Sequence, residues 1–211
     1  MMTPLDKLIN GRRSIRKYKE EPPPEDWINK MILAAMKAPS PSNSRPVRYV
    51  RLRSLEGKTR LHEAMRKGRE GLLRAIEETG SSGRLKNLVN AYYRYSEFMF
   101  NAPVLFAVGT SLKVLSLAER LSRAGMIEPT HNRHRDLDIA VGLALKGYLL
   151  KGEEFGLGSC ILTAPLIFME KPEEILSLEK IEIKCFITTG YPDETPPDFQ
   201  KKDIADIYRE I

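Results

Sequence analysis

The chain has 211 residues, of which 42% are hydrophobic and 29% charged, and its formal net charge is +6. This composition is that of a globular protein of one large domain or two small ones, with a core that needs no disulfide or structural metal. The positive charge raises the question of a nucleic-acid partner, but acidic residues interrupt the basic ones nearly everywhere. The sequence contains no RNP motif, helix-turn-helix signature or zinc-ligand pattern, so we expect no nucleic-acid partner. A basic excess of this size equally suits a phosphate-bearing small ligand.

The cysteines and apolar runs indicate where the protein resides. Cys160 and Cys185 form no CxxC pair and lie in apolar segments, as buried thiols do in a reducing cytoplasm. Residues 1–10 lack the continuous apolar stretch of a signal peptide. The longest apolar stretch, residues 102–109, falls far short of the roughly 18–20 residues that cross a bilayer. We therefore expect a cytoplasmic protein without a membrane contact.

In the amino-terminal half, turn residues separate the predicted elements. Thr3 and Pro4 predict the start of a helix that ends near Gly11. A second helix is predicted from Pro24 to just before Pro39, with apolar residues at a spacing of three to four. A half-exposed strand over residues 47–53 follows a turn-rich loop.

Residues 55–101 predict two highly charged helical segments, separated by glycines and serines at 80–83. A polar pair of helices with a glycine hinge is a candidate for a mobile lid over a site. A solvated helical hairpin is the alternative interpretation.

The carboxyl-terminal half predicts three strands and two helices. A buried strand at 102–109 precedes a helix at 113–124 and a loop at 125–135. The stretch 137–155 is apolar on nearly every side, which predicts a buried helix whose glycines allow another helix to approach closely, in a core or in a dimer interface. Strands follow at 158–163 and 181–189, and in the latter Ile181, Ile183, Cys185 and Ile187 alternate towards one predicted face. Helices interleaved with four or five strands, without a regular βαβ rhythm, predict an α+β fold.

A basic pentapeptide after the first helix is the strongest candidate for a binding site. Alternate side chains share one face of an extended chain, so Arg12, Ser14 and Arg16 can converge on one ligand. Guanidinium groups match phosphate oxygens, and a serine hydroxyl adds a hydrogen bond. The segment predicts a phosphate site, with a solvated basic turn as the alternative.

Two glycine- or proline-containing segments are weaker candidates. The loop at 39–46 places hydroxyl and amide side chains between prolines, and the amide of Asn43 suits the polar edge of a heterocycle. An ordinary turn is the alternative. Gly156 and Gly158 lead from the predicted buried helix into a strand and permit close approach to a flat ligand. No strand precedes them, so a Rossmann interpretation fails.

The tail is the last candidate. The turn at 190–194 is followed by Lys201 and Lys202, which would complete a phosphate site or form a solvated tail.

Taken together and in this order, these segments resemble the nitroreductase family. The resemblance rests on RRSIR from Arg12, APSPSN followed by RP from Ala38, GLGSCIL from Gly156 and GYPDE from Gly190. It covers about residues 5–53 and 136–204. It implies one α+β domain over residues 1–211, with a mostly antiparallel sheet flanked by helices. It also implies an intertwined homodimer with one FMN in each of two clefts at the subunit interface.

The resemblance also implies roles for individual residues. Arg12, Ser14 and Lys201 would hold the FMN phosphate with help from Arg13. Arg16 would lie near N1 and the C2 carbonyl of the isoalloxazine, where negative charge builds on reduction.

Two other segments would face the ring. Pro39, Ser40 and Asn43 would approach the flavin in the cleft that the partner subunit completes. The main chain around Leu162 and Thr163 would face N5.

The implied reaction passes hydride from NAD(P)H to a nitroaromatic, a quinone or a similar electron-poor acceptor by ping-pong kinetics. Because the flavin carries the hydride, no catalytic side chain and no metal is expected. Relatives that cleave flavin, dehalogenate aromatics or oxidise heterocycles define an alternative, and a flavin-binding protein without turnover defines another.

Four positions depart from the family pattern. The family often has glutamine where this chain has Arg45, and an aromatic residue where it has Val47. It commonly has glycine at the position of Thr163 and arginine at that of Lys201. Lys201 keeps the positive charge without a bidentate fork. Arg45 would either favour an anionic substrate or point outward.

Overall fold

The computed structural model describes residues 2–80, 83–115, 117–128, 135–197 and 203–210. Within these ranges the helices are α1 (Pro4–Gly11), α2 (Glu25–Ala35), α3 (Leu55–Glu78), α4 (Gly83–Glu97), α5 (Leu117–Arg123), α6 (Arg135–Glu154), α7 (Pro165–Phe168) and α8 (Pro172–Ile175). The strands are β1 (Val47–Arg51), β2 (Val104–Ser111), β3 (Gly158–Leu162) and β4 (Ile181–Gly190). They form one sheet in the order β1-β2-β4-β3, in which every neighbouring pair is antiparallel. The predicted α+β fold with an antiparallel sheet is confirmed.

Local sequence signals explain the first helix. The Thr3 hydroxyl accepts a hydrogen bond from the Asp6 N–H, and the Asp6 carboxylate accepts one from the Thr3 N–H at 2.8 Å. This reciprocal capping satisfies amide groups that the helix cannot pair internally. The helix begins at Pro4 and ends at Gly11, as the sequence predicts.

The charged region at 55–101 folds as a helical hairpin. The long helix α3 ends where Gly80 adopts a positive φ of 65°. Such a conformation costs glycine little and terminates a helix readily. The hairpin packs against α7 and α8, where the ring of Tyr93 meets that of Phe168 edge-on at 5.8 Å.

The sheet separates two apolar clusters. On one face, α2 and α6 cover Val108 and Ile187, with Met31 and Tyr148 fully buried. On the other face, α3 and α7 cover Phe186. These two clusters form the core that fixes the sheet between its helical layers.

Glycines in α6 allow α2 to approach closely, as predicted. A side chain at Gly147 would lie 3.1 Å from the Ala34 carbonyl oxygen, and one at Gly152 would lie 2.6 Å from the Met31 methyl. In the single chain α6 is not buried on every face, so the predicted alternative of a dimer interface remains for its outer side. Ile139 is 54% exposed and Leu143 is 44% exposed.

A bulge overturns the predicted alternation in β4. Val108 pairs with Cys185, but the next residue, Gly109, pairs with Ile183, so Lys184 is an extra residue. One inserted residue reverses which face the following side chains occupy. Ile183 therefore packs in the cluster of Phe186, away from Cys185 and Ile187.

The helix predicted at 113–124 is shorter than expected. Strand β2 continues to Ser111, and the Val114 N–H then donates to the Ser111 carbonyl oxygen at 3.1 Å in a turn. This turn delays the start of α5 to Leu117. None of the described helices combines the length and apolarity needed to span a bilayer.

Candidate functional site

The basic pentapeptide is anchored along the first residues of β3. Ser14 forms a parallel bridge with Ser159, and the Ile15 N–H donates to the Ser159 carbonyl oxygen at 3.2 Å. The side chain of Ile15 is buried, and a Cβ at Gly158 would lie only 2.4 Å from it. Glycine at 158 thus permits the close approach that sets the position of the flanking arginines.

A second anchor lies just beyond the pentapeptide. The Asp193 N–H donates to the Lys17 carbonyl oxygen, and the Lys19 N–H donates to the Tyr191 carbonyl oxygen, both at 3.0 Å. The Tyr18 hydroxyl donates to the Ile15 carbonyl oxygen at 2.5 Å. The segment after β4 thereby fixes the far end of the basic segment.

Glu194 contributes a contact that the sequence did not reveal. One oxygen of its carboxylate accepts hydrogen bonds from the main-chain N–H groups of Arg16 and Lys17, the latter at 3.1 Å. The carboxylate is thus engaged by main-chain donors. Only the pairing of residues 16–17 with the segment after β4 gives Glu194 this role, so no local motif could indicate it.

The three side chains predicted to share a ligand all act on one thiol. Burial raises the pKa of Cys160, while the charge of Arg16, a hydrogen bond from Ser14 and the charge of Arg12 lower it. The backbone of the segment runs beside the start of β3, close enough for Arg12, Ser14 and Arg16 to affect the Cys160 thiol. Arg13 is half-buried within the same segment.

The charges of this segment have few internal partners. Among the described residues, Arg12, Arg13 and Arg16 form no ion pair within 4.0 Å. Glu153 lies near Arg12: burial raises the pKa of Glu153, and the Arg12 charge opposes that rise. A cluster of guanidinium groups beside a serine hydroxyl has the donors that a phosphate ester needs, so these residues fit the phosphate of FMN.

The loop at 39–46 has an unusual backbone. Ser42, Asn43 and Arg45 all have positive φ values, between 47° and 53°. Non-glycine residues adopt this region at a cost of about 1–3 kcal/mol each, and such strain concentrates at functional sites. The Ser40 hydroxyl accepts a hydrogen bond from the Arg45 N–H at 2.9 Å, which holds the loop in this shape.

Within one chain the loop and the basic segment are far apart. The loop residues Pro39 and Ser40 line a cleft with Ala140 near the start of α6, whereas Arg12 lies near Glu153 at its end. Thirteen residues of helix separate these positions by about 20 Å. One protomer therefore does not bring Pro39, Ser40 and Asn43 to the basic segment.

The remaining predicted residues have different positions. Leu162 is buried at the end of β3, and Thr163 is exposed with its carbonyl oxygen accepting from the Leu166 N–H at 3.0 Å. Lys201 and the loop histidines, His131 and His134, lie outside the described residues. Within the described part of the chain, no group of three His, Cys, Asp or Glu side chains is arranged to hold a metal.

An apolar cavity lies under the loop, and the sequence did not predict it. It has a volume of about 440 Å³ and is lined by α2, the loop, the start of β1 and α6. The hydroxyls of Ser44 and Tyr49 are buried at its wall and have no partner among the described residues. Burial raises the pKa of Tyr49 well above its ordinary value, so this hydroxyl stays protonated.

Comparisons with known proteins agree with this architecture. The family profile described as Nitroreductase family matches residues 9–191. The chain is 26% identical over 209 residues to YfhC of Bacillus subtilis (strain 168), provisionally named an NAD(P)H nitroreductase, covering 98% of this chain and 94% of that protein.

Two solved structures have a similar fold at 22% identity. A BluB-like flavoprotein from Clostridium difficile 630 superposes with a TM-score of 0.78 over 100% of both chains. Iodotyrosine deiodinase, solved with FMN and 3-iodo-L-tyrosine, gives a TM-score of 0.70 over 98% of this chain and 100% of that chain.

The chain belongs to the nitroreductase family. The profile covers nearly the whole chain, which confirms the resemblance drawn from the basic pentapeptide, the loop at 39–46 and the glycines around β3. The family is one of flavin-linked oxidoreductases, and the antiparallel α+β architecture agrees with its solved members.

Proposed function

We propose that the protein is an FMN-dependent oxidoreductase that takes hydride from NAD(P)H and passes it to an electron-poor acceptor such as a nitroaromatic or a quinone. The observation that carries the proposal is the anchoring of the basic segment beside the start of β3, where Ser14 bridges to Ser159 and the charges of Arg16 and Arg12 act on the Cys160 thiol. Their charges lack internal ion-pair partners in the described part of the chain and suit a phosphate ester.

The phosphate end of the site is assigned to Arg12, Arg13, Ser14 and Lys201. Charge-assisted hydrogen bonds each contribute about 1.5–3 kcal/mol. Several such contacts together would make the phosphate a major source of FMN affinity. The contacts of Glu194 with the Arg16 and Lys17 amides fix the main chain that carries these groups.

The ring end of the site is assigned to Arg16 and to the main chain at Leu162 and Thr163. Bound FMN would supply the redox chemistry, since a flavin accepts and returns hydride at N5. Fixed positive charge from Arg16 would stabilise the negative charge that reduction creates. The protein positions donor and acceptor in turn over the same ring face, so no protein nucleophile is required and the kinetics are ping-pong.

A homodimer would complete the cleft. The loop at 39–46 lies about 20 Å along α6 from the basic segment of its own chain, so a partner must deliver the equivalent loop. An exposed apolar surface is available for that contact: Ile139 and Leu143 on α6 are 54% and 44% exposed and line a cleft with Pro39 of the loop. Exposed apolar patches of this kind commonly mark protein interfaces.

The dimer is tested by placing a charge on this surface. Ile139→Glu should yield a monomer by light scattering and lower FMN retention, because the second wall of the cleft is lost. Leu117→Glu is the matched control, since Leu117 is 70% exposed on α5. A dimer of unchanged affinity in Ile139→Glu would contradict the proposed interface.

The activity is tested on the purified protein under anaerobic conditions. The protein should carry a yellow flavin whose visible absorbance is lost on adding NADPH or NADH and restored by a nitroaromatic or quinone. Persistence of the colour with both nicotinamides would overturn the proposed reductant.

A second candidate is reductive dehalogenation of an aromatic substrate. It is favoured by the likeness over the whole fold to iodotyrosine deiodinase. Anaerobic incubation of the reduced protein with 3-iodo-L-tyrosine distinguishes the two: iodide release favours the dehalogenase, and its absence with rapid quinone reduction favours the first proposal.

A further inference from the structure

A basic groove lies between α3 and α4, away from the basic pentapeptide. It has a volume of about 620 Å³, and its walls are lined by Arg66, Arg69, Asn87, Asn90, Tyr93, Arg94 and Glu97. Residues 87, 90, 94 and 97 follow a spacing of three or four and therefore share one face of α4. Two helices thus present polar side chains to each other where a hairpin usually packs apolar ones.

Arg69 is held in position before any ligand arrives. Its guanidinium lies 4.8 Å from the centre of the Tyr93 ring, and its Nε donates to the Asn90 side-chain oxygen at 2.8 Å. Both terminal nitrogens of Arg69 have no acceptor among the described residues. A stacked arginine with a free fork is suited to bind two oxygens of one anion.

Tyr93 is a rigid support for that arginine. It is only 4% exposed, and its hydroxyl donates to the Glu97 carboxylate at 3.2 Å. The same carboxylate lies 3.0 Å from His62 Nε2. The single acid in the groove is therefore already engaged.

The groove has an excess of positive charge. Arg66 pairs with Glu70 at 2.7 Å, but Arg94 has no ion-pair partner in the described part of the chain. With Arg66 paired, Arg69 and Arg94 face the single carboxylate of Glu97 in the lining, so the groove is net positive and attracts anions.

We infer that this groove binds the phosphate group of a small anionic molecule, through Arg69 and Arg94 with amide donors from Asn87 and Asn90. The phosphate has two possible sources, a free polyphosphate or the phosphates of the dinucleotide reductant. The second source rests on the proposed function. The hairpin packs on α7, and α7 begins two residues after Thr163. One short helix therefore connects the groove to the residues proposed to face the flavin ring.

The first arm of the test uses pyrophosphate and requires no activity. The flavin-loaded protein is titrated with pyrophosphate at constant ionic strength while its melting temperature is measured. The melting temperature should rise saturably in the parent protein and in the control Arg74→Gln, which alters an exposed arginine on α3. An Arg69→Gln/Arg94→Gln variant should need at least ten-fold more pyrophosphate, because each charge-assisted contact is worth about ten-fold or more.

Two further variants distinguish loss of the anion contact from disturbance of the fold. Arg69 also packs on Tyr93, so Arg94→Gln alone repeats the measurement without disturbing that contact. Arg53→Gln should leave the response to pyrophosphate unchanged, since Arg53 is exposed and pairs with Glu25 away from the groove. The inference would be overturned if the melting temperature depended on pyrophosphate equally in all variants, or if sodium chloride alone raised it as much. Both outcomes are independent of whether the protein binds FMN as proposed.

The second arm identifies the source of the phosphate. If the reductant supplies it, the double variant should raise KM for NADPH at least ten-fold with little change in kcat, whereas Arg74→Gln should not. If KM is unaltered while the pyrophosphate response is lost, the groove binds a free anion.

Discussion

Replacing Arg12 by alanine should release FMN from the protein without unfolding it. Arg12 lies near the Cys160 thiol together with Ser14 and Arg16, and it forms no ion pair with another described residue. Its removal therefore takes a charged hydrogen-bond donor away from the proposed FMN phosphate. The substitution breaks no ion pair with another described residue, so the fold should be retained.

The expected size of the effect follows from the contacts available. A hydrogen bond between charged groups contributes about 1.5–3 kcal/mol, which corresponds to roughly ten- to hundred-fold in affinity. The neighbouring Glu153 adds to the effect, because its ionised form loses the favourable charge of Arg12 and then repels the phosphate.

The assay is a fluorescence titration of flavin-free protein with FMN. Arg53→Ala is the matched control, since it removes the same charge from a residue that is 66% exposed and pairs with Glu25 at 2.8 Å. The dissociation constant should rise ten- to hundred-fold for Arg12→Ala and stay within about two-fold for Arg53→Ala. Equal affinities in the two variants would refute the phosphate assignment.

Three other predictions concern stability and reactivity. Gly68→Ala should lower the free energy of unfolding by about 1–3 kcal/mol, because its Cβ would lie 1.8 Å from the Phe168 carbonyl oxygen. In Gly71→Ala the new methyl meets nothing within 4 Å, so this variant should raise the free energy of unfolding by about 0.5–1 kcal/mol. Urea titration measures both variants, and a change of the same sign in both would contradict the packing of α3 on α7. Burial raises the pKa of Cys185 to about 12, so alkylation at pH 8 should be slow until denaturant is added, and rapid labelling of the folded protein would contradict this. Burial raises the pKa of Glu153 in the folded chain, so ionising it costs stability as the pH rises above its ordinary range. Glu153→Gln should therefore raise the melting temperature at pH 8 but not at pH 4. An equal change in melting temperature at the two pH values would contradict the burial of the Glu153 carboxyl.

Local chemistry made two of the helix boundaries predictable. The reciprocal capping of Thr3 and Asp6 starts α1 where the sequence indicates, and Gly80 separates α3 from α4 in the predicted linker. The extended backbone of the basic pentapeptide was also predictable, whereas the convergence of Arg12, Ser14 and Arg16 on one ligand stays a prediction from its alternation.

Features that depend on distant pairing were not predictable. The bulge at Lys184 reverses the alternation of β4 only because β2 and β4 pair in a particular register. Glu194 binds the amides of Arg16 and Lys17 across 178 and 177 residues of sequence. The sequence could not decide between a core and an interface for the outer face of α6 at Ile139, because an apolar helix has the same pattern in both.

The sequence predicted only part of the candidate site. The loop containing Ser40 and Asn43 has the strained backbone expected at a functional site. Its distance from Arg12 along α6 depends on the tertiary fold. The dimeric cleft therefore stays a prediction, together with the contribution of Lys201.

The most direct test compares FMN with riboflavin as ligands of the flavin-free protein by calorimetry. The two differ only in the phosphate that Arg12 and Ser14 are proposed to hold. FMN should bind at one molecule per chain and at least a hundred-fold more tightly than riboflavin. Equal affinities for the two flavins would contradict the account.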